Sequence, residues 1–128
     1  TNYVRDGLGI KMMLKHGLHV AVISGRPSES MRQRLTWLGV KHIALDTEDK
    51  EPAYLRICSE LGLTDEQCAH MGHDVPDLPL MHRTALALSV ADAHAKALAA
   101  AHWVSRYNGG HGAVREAVEL VLDAQGLA

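Results

Sequence analysis

The feature that most constrains the fold of this chain is an alternation of short apolar runs with longer segments of helical periodicity. Continuous apolar runs bounded by Gly or polar residues are typical of strands buried on both faces of a parallel sheet. The predicted strands comprise residues 19–23, 41–45, 69–72, 86–90 and 103–104. The predicted helices comprise residues 6–16, 28–38, 77–84, 93–101 and 113–122, with another that has Pro52 in its first turn and ends at residue 61. This alternation predicts an α/β fold built on a doubly wound parallel sheet.

Helix ends are marked by residues with the appropriate backbone or capping preferences. Ser28 or Ser30 is predicted to cap the second helix, which Gly39 ends. Gly62 is predicted to end the helix that contains Pro52.

The composition is that of a globular domain: 47% of the residues are hydrophobic and 22% are charged. The 13 basic and 15 acidic residues give a formal charge of −2, which lacks the basic surplus of proteins that bind nucleic acid or anionic membranes. No apolar run approaches the roughly 18 residues of a membrane-spanning helix. The two cysteines fit a reducing, cytoplasmic location. Because the chain contains no Phe, we expect a mainly aliphatic core.

Polar residues follow the first two predicted strands, at the sheet edge where ligands of such folds bind. Ser24, Gly25 and Arg26 combine a hydroxyl, a flexible backbone and a guanidinium, which suit an oxyanion such as phosphate. The same residues also make an ordinary turn. Lys50 follows the second strand, where it could neutralise a phosphate or a carboxylate, or be an ordinary surface lysine.

The third predicted strand leads into residues 72–77, which carry Asp74 and Asp77. Carboxylates at this position are suited to binding Mg²⁺, and they are equally suited to capping a helix. Residues 109–112 contain three glycines, which either admit a ligand close to the backbone or let a loop turn.

Other common site types are not indicated. The nine histidines lack the paired spacing of a metal site, and Cys58 and Cys68 have no CxxC partner, so we predict no zinc site. Ser24 lacks the Gly-x-Ser-x-Gly setting of a serine hydrolase.

Six segments, taken in order, resemble motifs of the haloacid dehalogenase superfamily. They are residues 4–10, 22–26, 50, 72–79, 90–93 and 109–116. Within that superfamily the chain is similar to the capless 3-deoxy-D-manno-octulosonate 8-phosphate phosphatases, over nearly its whole length. The resemblance implies a capless, Rossmannoid, haloacid-dehalogenase-like fold.

The resemblance also implies roles for individual residues. Ser24 corresponds to the hydroxyl that hydrogen-bonds the transferring phosphoryl group, and Lys50 to the lysine that stabilises the aspartyl nucleophile and the phosphoryl charge. Gly25 and Arg26 are implied to bind substrate. Three further positions are implied to surround Mg²⁺: His73, Asp74 and Asp77.

The chain departs from the family pattern in two respects. The opening motif Asp-x-Asp-Gly-x-x-Thr, which supplies the nucleophile, is absent, and the covalent route has no first step without it. The family has Asp at the position of His73, whose imidazole is a poorer ligand for a hard cation. We expect residues 1–128 to form a single phosphatase-like domain that lacks an N-terminal strand and hairpin, about 40–50 residues.

The function implied by the resemblance is Mg²⁺-dependent hydrolysis of 3-deoxy-D-manno-octulosonate 8-phosphate in lipopolysaccharide precursor synthesis, by a homotetramer without nucleic-acid or membrane partners. The alternative is a catalytically inactive family member that serves as an oligomerisation module, as in sialic-acid-activating enzymes. A flavodoxin-like binding domain would explain the strand–helix alternation but would leave the ordered motifs unexplained.

Overall fold

Parallel strands alternate with helices throughout the described part of the computed structural model, residues 17–109 and 112–126, as predicted. The strands are β1 (Ala21–Ile23), β2 (His42–Ala44), β3 (Ala69–Met71), β4 (Leu86–Ser89) and β5 (Trp103–Val104). The helices are α1 (Glu29–Leu38), α2 (Lys50–Leu61), α3 (Leu78–Arg83), α4 (Ala95–Ala100) and α5 (Ala113–Ala124).

The order of the elements is confirmed, while several of their ends differ from the prediction. β1 begins at Ala21 rather than at residue 19, because its ladder is limited by the short partner strand β2. Two 3₁₀ turns, Asp65–Gln67 and Val75–Asp77, were not predicted, since such single turns have little periodicity to detect. The predicted helix over residues 6–16 lies outside the described residues.

The described strands pair in two parallel ladders rather than in one continuous sheet. β1 pairs with β2, with Val22 opposite Ile43. The second ladder has the order β3-β4-β5, with His70 opposite Ala87 and Leu88 opposite Trp103. All of these pairs are parallel, so their carboxyl ends lie at one edge of each ladder.

Helix packing brings the two ladders together. Tyr54 and Cys58 of α2 form a buried cluster with Leu80 of α3, and Ile23 of β1 packs against this cluster. The expectation of an aliphatic core is confirmed, since the largest fully buried apolar side chains are Leu80, Met81 and Leu122.

The connections that leave β1 and β2 are short. Residues 24–28 join β1 to α1, and residues 45–49 join β2 to α2. Connections of this length cannot contain an inserted cap domain, so the described part of the chain agrees with the capless expectation.

None of the helices within residues 17–109 and 112–126 has the length and apolar character needed to span a lipid bilayer.

The two ends of α1 are defined by the residues that the sequence indicated. Of the two candidate caps, Ser28 occupies the position: its Oγ accepts a hydrogen bond from the backbone N–H of Met31 at 3.2 Å. Gly39 ends the helix with a φ of 99°, in the left-handed region that a side chain disfavours.

We expect Ser28→Ala to lower the free energy of unfolding by about 1 kcal/mol, because an N–H of the first turn of α1 loses its acceptor. Ser30→Ala is the matched control and should cost less than about 0.5 kcal/mol. Urea denaturation of both variants checks this, and equal losses would contradict the assignment of Ser28 as the cap.

Candidate active site

Backbone hydrogen bonds join the loop that follows β1 to the loop that follows β2. The N–H of Ser24 donates to the carbonyl of Ala44 at 2.8 Å, and the N–H of Thr47 donates to the carbonyl of Ser24 at 2.9 Å. The Oγ of Ser24 accepts from the N–H of Arg26 at 3.2 Å. Because Oγ acts here as an acceptor, its own O–H remains able to donate to an anion. Gly25 and Arg26 are exposed.

The loop after β2 turns sharply before Lys50. Asp46 has a φ of 55°, a left-handed conformation that Asp tolerates better than most residues. Its N–H donates to the carbonyl of Arg26 at 3.3 Å. The turn places Lys50 in the first turn of α2, at the same edge as Ser24.

A buried ion pair joins Lys50 to Asp77. The Nζ of Lys50 lies 2.6 Å from Oδ1 of Asp77, and the two residues are only 8% and 1% exposed. The sequence indicated both residues as candidate site residues. It did not reveal that their side chains are in direct contact. The alternative that Lys50 is an ordinary surface lysine is wrong.

The carboxylate of Asp77 is surrounded by donors on both oxygens. Oδ1 also lies 2.9 Å from Nε2 of His70, while Oδ2 accepts from the backbone N–H groups of His73 at 3.0 Å and Asp74 at 3.3 Å. Burial alone would raise the pKa of Asp77, but the hydrogen bonds from His70, Lys50 and the His73 backbone outweigh it and hold this pKa well below its usual value. Protein donors therefore stabilise Asp77 as a buried anion.

Gly72 allows this close arrangement. A Cβ built on Gly72 would lie 2.4 Å from Cβ of Asp77, a distance at which the backbone or Asp77 must move. The carbonyl of Gly72 accepts from the buried hydroxyl of Ser89 at 2.7 Å, and its N–H donates to Leu88 at 2.9 Å. Residue 72 is thus anchored to β4 while Asp77 folds back over it.

The remaining predicted magnesium ligands lie at the surface. The Oδ1 of Asp74 accepts from the N–H of Val75 at 2.7 Å, so the capping alternative is confirmed for Asp74. The ring of His73 is 65% exposed, with Nδ1 3.7 Å from Oδ2 of Asp77.

The described residues do not by themselves fit a magnesium site. Within residues 17–109 and 112–126, no group of three or more His, Cys, Asp or Glu side chains is arranged to hold a metal ion. The oxygens of Asp77 are already engaged by four donors, which leaves the exposed carboxylate of Asp74 as the suitable hard ligand at this edge.

Sequence reasoning missed His70, which shares Oδ1 of Asp77 with Lys50. Its signal was present but weak: a polar side chain in the middle of an apolar strand, two residues before Gly72 and therefore on the same face. Only the return of the chain through residues 74–77 places a carboxylate against it.

The described part of the chain has two surface grooves that bear on the choice of a ligand site. One of about 330 Å³ adjoins the loop after β1 and is lined by Pro27, Ser28, Glu29, Arg32, Leu45 and Asp46. A larger one of about 400 Å³ lies along β5 and α5. Both linings contain carboxylates and one arginine, so the smaller groove is distinguished by its position beside the loop after β1 and not by its charge.

Parts of two predicted motifs lie outside the described residues: residues 4–10, and Gly110 with His111. Gly109, at the start of the glycine-rich segment, donates its N–H to Oδ1 of Asp92 at 2.9 Å.

Comparisons with known proteins show the family to which the chain belongs. The family model for haloacid dehalogenase-like hydrolases matches residues 41–117. The 3-deoxy-D-manno-octulosonate 8-phosphate phosphatase of Yersinia pestis is 41% identical over 95% of this chain. The chain spans 65% of the length of that relative.

Two solved structures are closely similar in fold. One is the 3-deoxy-D-manno-octulosonate 8-phosphate phosphatase of Moraxella catarrhalis with magnesium, phosphate and KDO, at 35% identity and a TM-score of 0.93 over 96% of this chain and 71% of that one. The other is the cobalt-bound deoxy-D-mannose-octulosonate 8-phosphate phosphatase of Haemophilus influenzae. It has 41% sequence identity and a TM-score of 0.92, and the match covers 96% of this chain and 72% of that chain.

We expect Asp77→Asn to lower the free energy of unfolding by about 3–5 kcal/mol, because the buried ammonium of Lys50 loses its counter-ion. Asp74→Asn is the matched control: Asn caps as well as Asp, so the change should stay within about 0.5 kcal/mol. Denaturant titration measures both variants, and losses of similar size would argue against a special role for the pair.

The depressed pKa of Asp77 also predicts a pH dependence. Below the ordinary carboxyl pKa of about 4, the unfolded chain binds a proton at Asp77 that the folded chain excludes. The stability difference between the native chain and Asp77→Asn should therefore shrink from about pH 6 to about pH 3. Denaturation across this range tests it, and the Asp77 carboxyl carbon shift by NMR gives a second readout; a midpoint near 4 would refute it.

Proposed function

Because the chain belongs to the haloacid dehalogenase-like hydrolase family, we propose that the whole protein hydrolyses 3-deoxy-D-manno-octulosonate 8-phosphate to 3-deoxy-D-manno-octulosonate and phosphate. The observation that carries the proposal is the buried pair of Lys50 and Asp77 at the carboxyl ends of β2 and β3. The choice of substrate is supported by the 41% sequence identity to a Yersinia pestis phosphatase that is named for this sugar phosphate.

The role proposed for Lys50 is to neutralise charge on the phosphoryl group. Phosphoryl transfer depends mainly on positioning and on stabilising the charge of the equatorial oxygens. Within the described residues, Lys50 donates one of its three N–H groups to Asp77. The others are left for an anion, while Asp77 holds the ammonium at a fixed position.

The role proposed for Ser24 is to donate its O–H to a phosphoryl oxygen, since its Oγ already accepts from Arg26. Gly25 and Arg26 are the proposed substrate contacts because they are exposed beside the same hydroxyl. The groove of about 330 Å³ that adjoins this loop offers space for the sugar.

The nucleophile is proposed to lie in the part of the relatives' length that this chain does not match. The family's Asp-x-Asp motif has no counterpart in the 128 residues, and the chain spans 65% of the Yersinia pestis relative. The described residues therefore provide the charge-neutralising half of the proposed site.

Magnesium dependence is part of the proposal. It is supported by the similar structures, which hold magnesium or cobalt according to their names, and by the exposed carboxylate of Asp74. A divalent cation would supply further charge neutralisation on the phosphate. His73 remains a predicted ligand, as does Asp77, whose oxygens are engaged by protein donors in this structure.

The biological setting is proposed from the same resemblance: lipopolysaccharide precursor synthesis, in the cytoplasm, by a homotetramer. A content of two cysteines fits a reducing compartment. The three relatives described above are phosphatases by name, and their names lend no support to the alternative of an oligomerisation module.

Release of inorganic phosphate from 3-deoxy-D-manno-octulosonate 8-phosphate by the whole protein, with Mg²⁺ present, tests the proposal. We expect Lys50→Met to lower kcat by roughly 10²–10³-fold, because the charge of the phosphoryl group loses a preorganised partner. Lys41→Met, at an exposed lysine beside β2, should leave kcat unchanged. Absence of turnover by the unmodified whole protein, in folded form, would overturn the catalytic proposal and favour the oligomerisation module.

A further inference from the structure

The only two cysteines of the chain lie together in the structure, although ten positions separate them in the sequence. Cys58 is in the last turns of α2, and Cys68 directly precedes β3. Their Sγ atoms are 3.7 Å apart, and both thiols are free. The 3₁₀ turn Asp65–Gln67 brings the chain back along α2 and so creates this contact.

The two sulfur atoms lie within contact distance of each other without being bonded. The Sγ of Cys68 lies 3.3 Å from the carbonyl of Thr64, to which it donates its S–H. A disulfide has an S–S bond of about 2.0 Å, so an approach of less than about 2 Å would join the two atoms.

The surroundings give the two thiols different roles. Cys58 is buried in the cluster with Tyr54 and Leu80, whereas Cys68 lies partly exposed at its edge. Burial shields the Cys58 thiol from reagents in solution, and it raises the pKa of this thiol, which lowers the fraction present as the reactive thiolate. Cys68 is therefore the group that an oxidant reaches first.

The pair does not serve as a metal site in the described part of the chain, because no third His, Cys, Asp or Glu there completes a ligand set. Neither thiol has a role in the proposed hydrolysis. The contact is therefore unexplained by the function proposed above.

We propose that Cys58 and Cys68 form a reversible dithiol site that is oxidised by small disulfides such as oxidised glutathione. The thiolate of Cys68 attacks one sulfur of oxidised glutathione, which forms a mixed disulfide and releases one glutathione thiolate. The thiolate of Cys58 then attacks the Cys68 sulfur, which forms the Cys58–Cys68 bond and releases the second glutathione thiolate. The protein loses two protons and two electrons, and one oxidised glutathione becomes two reduced glutathione molecules.

The bridge would link the end of α2 to the start of β3. These are the elements that carry Lys50 and His70, the two side chains on Oδ1 of Asp77. Oxidation would therefore link the two elements that hold Lys50 and His70 against Asp77. It would change none of these three side chains.

The test exposes the folded protein to oxidised glutathione and measures its intact mass and its alkylatable thiols. We expect the mass to fall by two hydrogens, no glutathione adduct to persist, and dithiothreitol to restore both thiols. The circular dichroism spectrum should remain that of the folded protein. Two unchanged thiols, a lasting adduct, a disulfide-linked dimer or a loss of the folded spectrum would each overturn the proposal.

Single-cysteine variants separate the two steps. Cys58→Ser should accumulate one glutathione on Cys68, because the resolving thiol is missing. Cys68→Ser should react at least about tenfold more slowly than Cys58→Ser while folded, and equally fast in urea, because Cys58 is accessible only after unfolding. Equal rates in the folded variants would contradict the assigned order of attack.

A glutathione redox buffer provides a measurement on the unmodified chain that does not depend on either variant. The equilibrium constant for bridge formation should be at least about tenfold larger in the folded protein than in urea, since folding holds the sulfurs together. A smaller constant in the folded state would show that the fold opposes the bridge.

Discussion

The buried contact between Lys50 and Asp77 imposes the strictest demand on this structure. Neither charge can be removed from water alone, because an unpaired buried ion costs several kcal/mol, on the order of 3–5 when its partner is lost. The pair therefore requires that the start of α2 and the loop after β3 arrive at the same point. His70 and two backbone N–H groups complete the solvation of Asp77, and Gly72 leaves the space that this arrangement needs.

The fold meets that demand through the helices that follow β2 and β3. Tyr54 and Leu80 hold α2 against α3, and these helices carry or flank the two charged residues. Backbone hydrogen bonds from Ser24 to Ala44 and from Thr47 to Ser24 then bring the loop after β1 to the same edge. A hydroxyl, an ammonium and an exposed guanidinium thus follow the carboxyl ends of parallel strands, and these groups suit the binding of a phosphate ester that we propose.

The sequence predicted the elements better than it predicted the partners of individual side chains. Alternation and helix-ending glycines located the strands and helices within a few residues, and the motif order indicated Ser24, Lys50 and Asp77. Nothing in the sequence indicated that Asp77 is held by Lys50 and His70, since the family resemblance implied that Asp77 is a metal ligand. His70 was one histidine among nine, and its meaning depends on a residue seven positions away that folds back over Gly72.

The sequence alone determined the α/β class, the family and the edge at which the charged residues lie, because these follow from local periodicity and from the positions of residues relative to strand ends. Tertiary structure alone decided which groups meet: Lys50 with Asp77, and Cys58 with Cys68. These contacts depend on how the connecting turns direct the chain in space, and the periodicity of the elements carries no information about that direction. A carboxylate near a strand end becomes a metal ligand or a lysine partner according to the donors that packing brings to it.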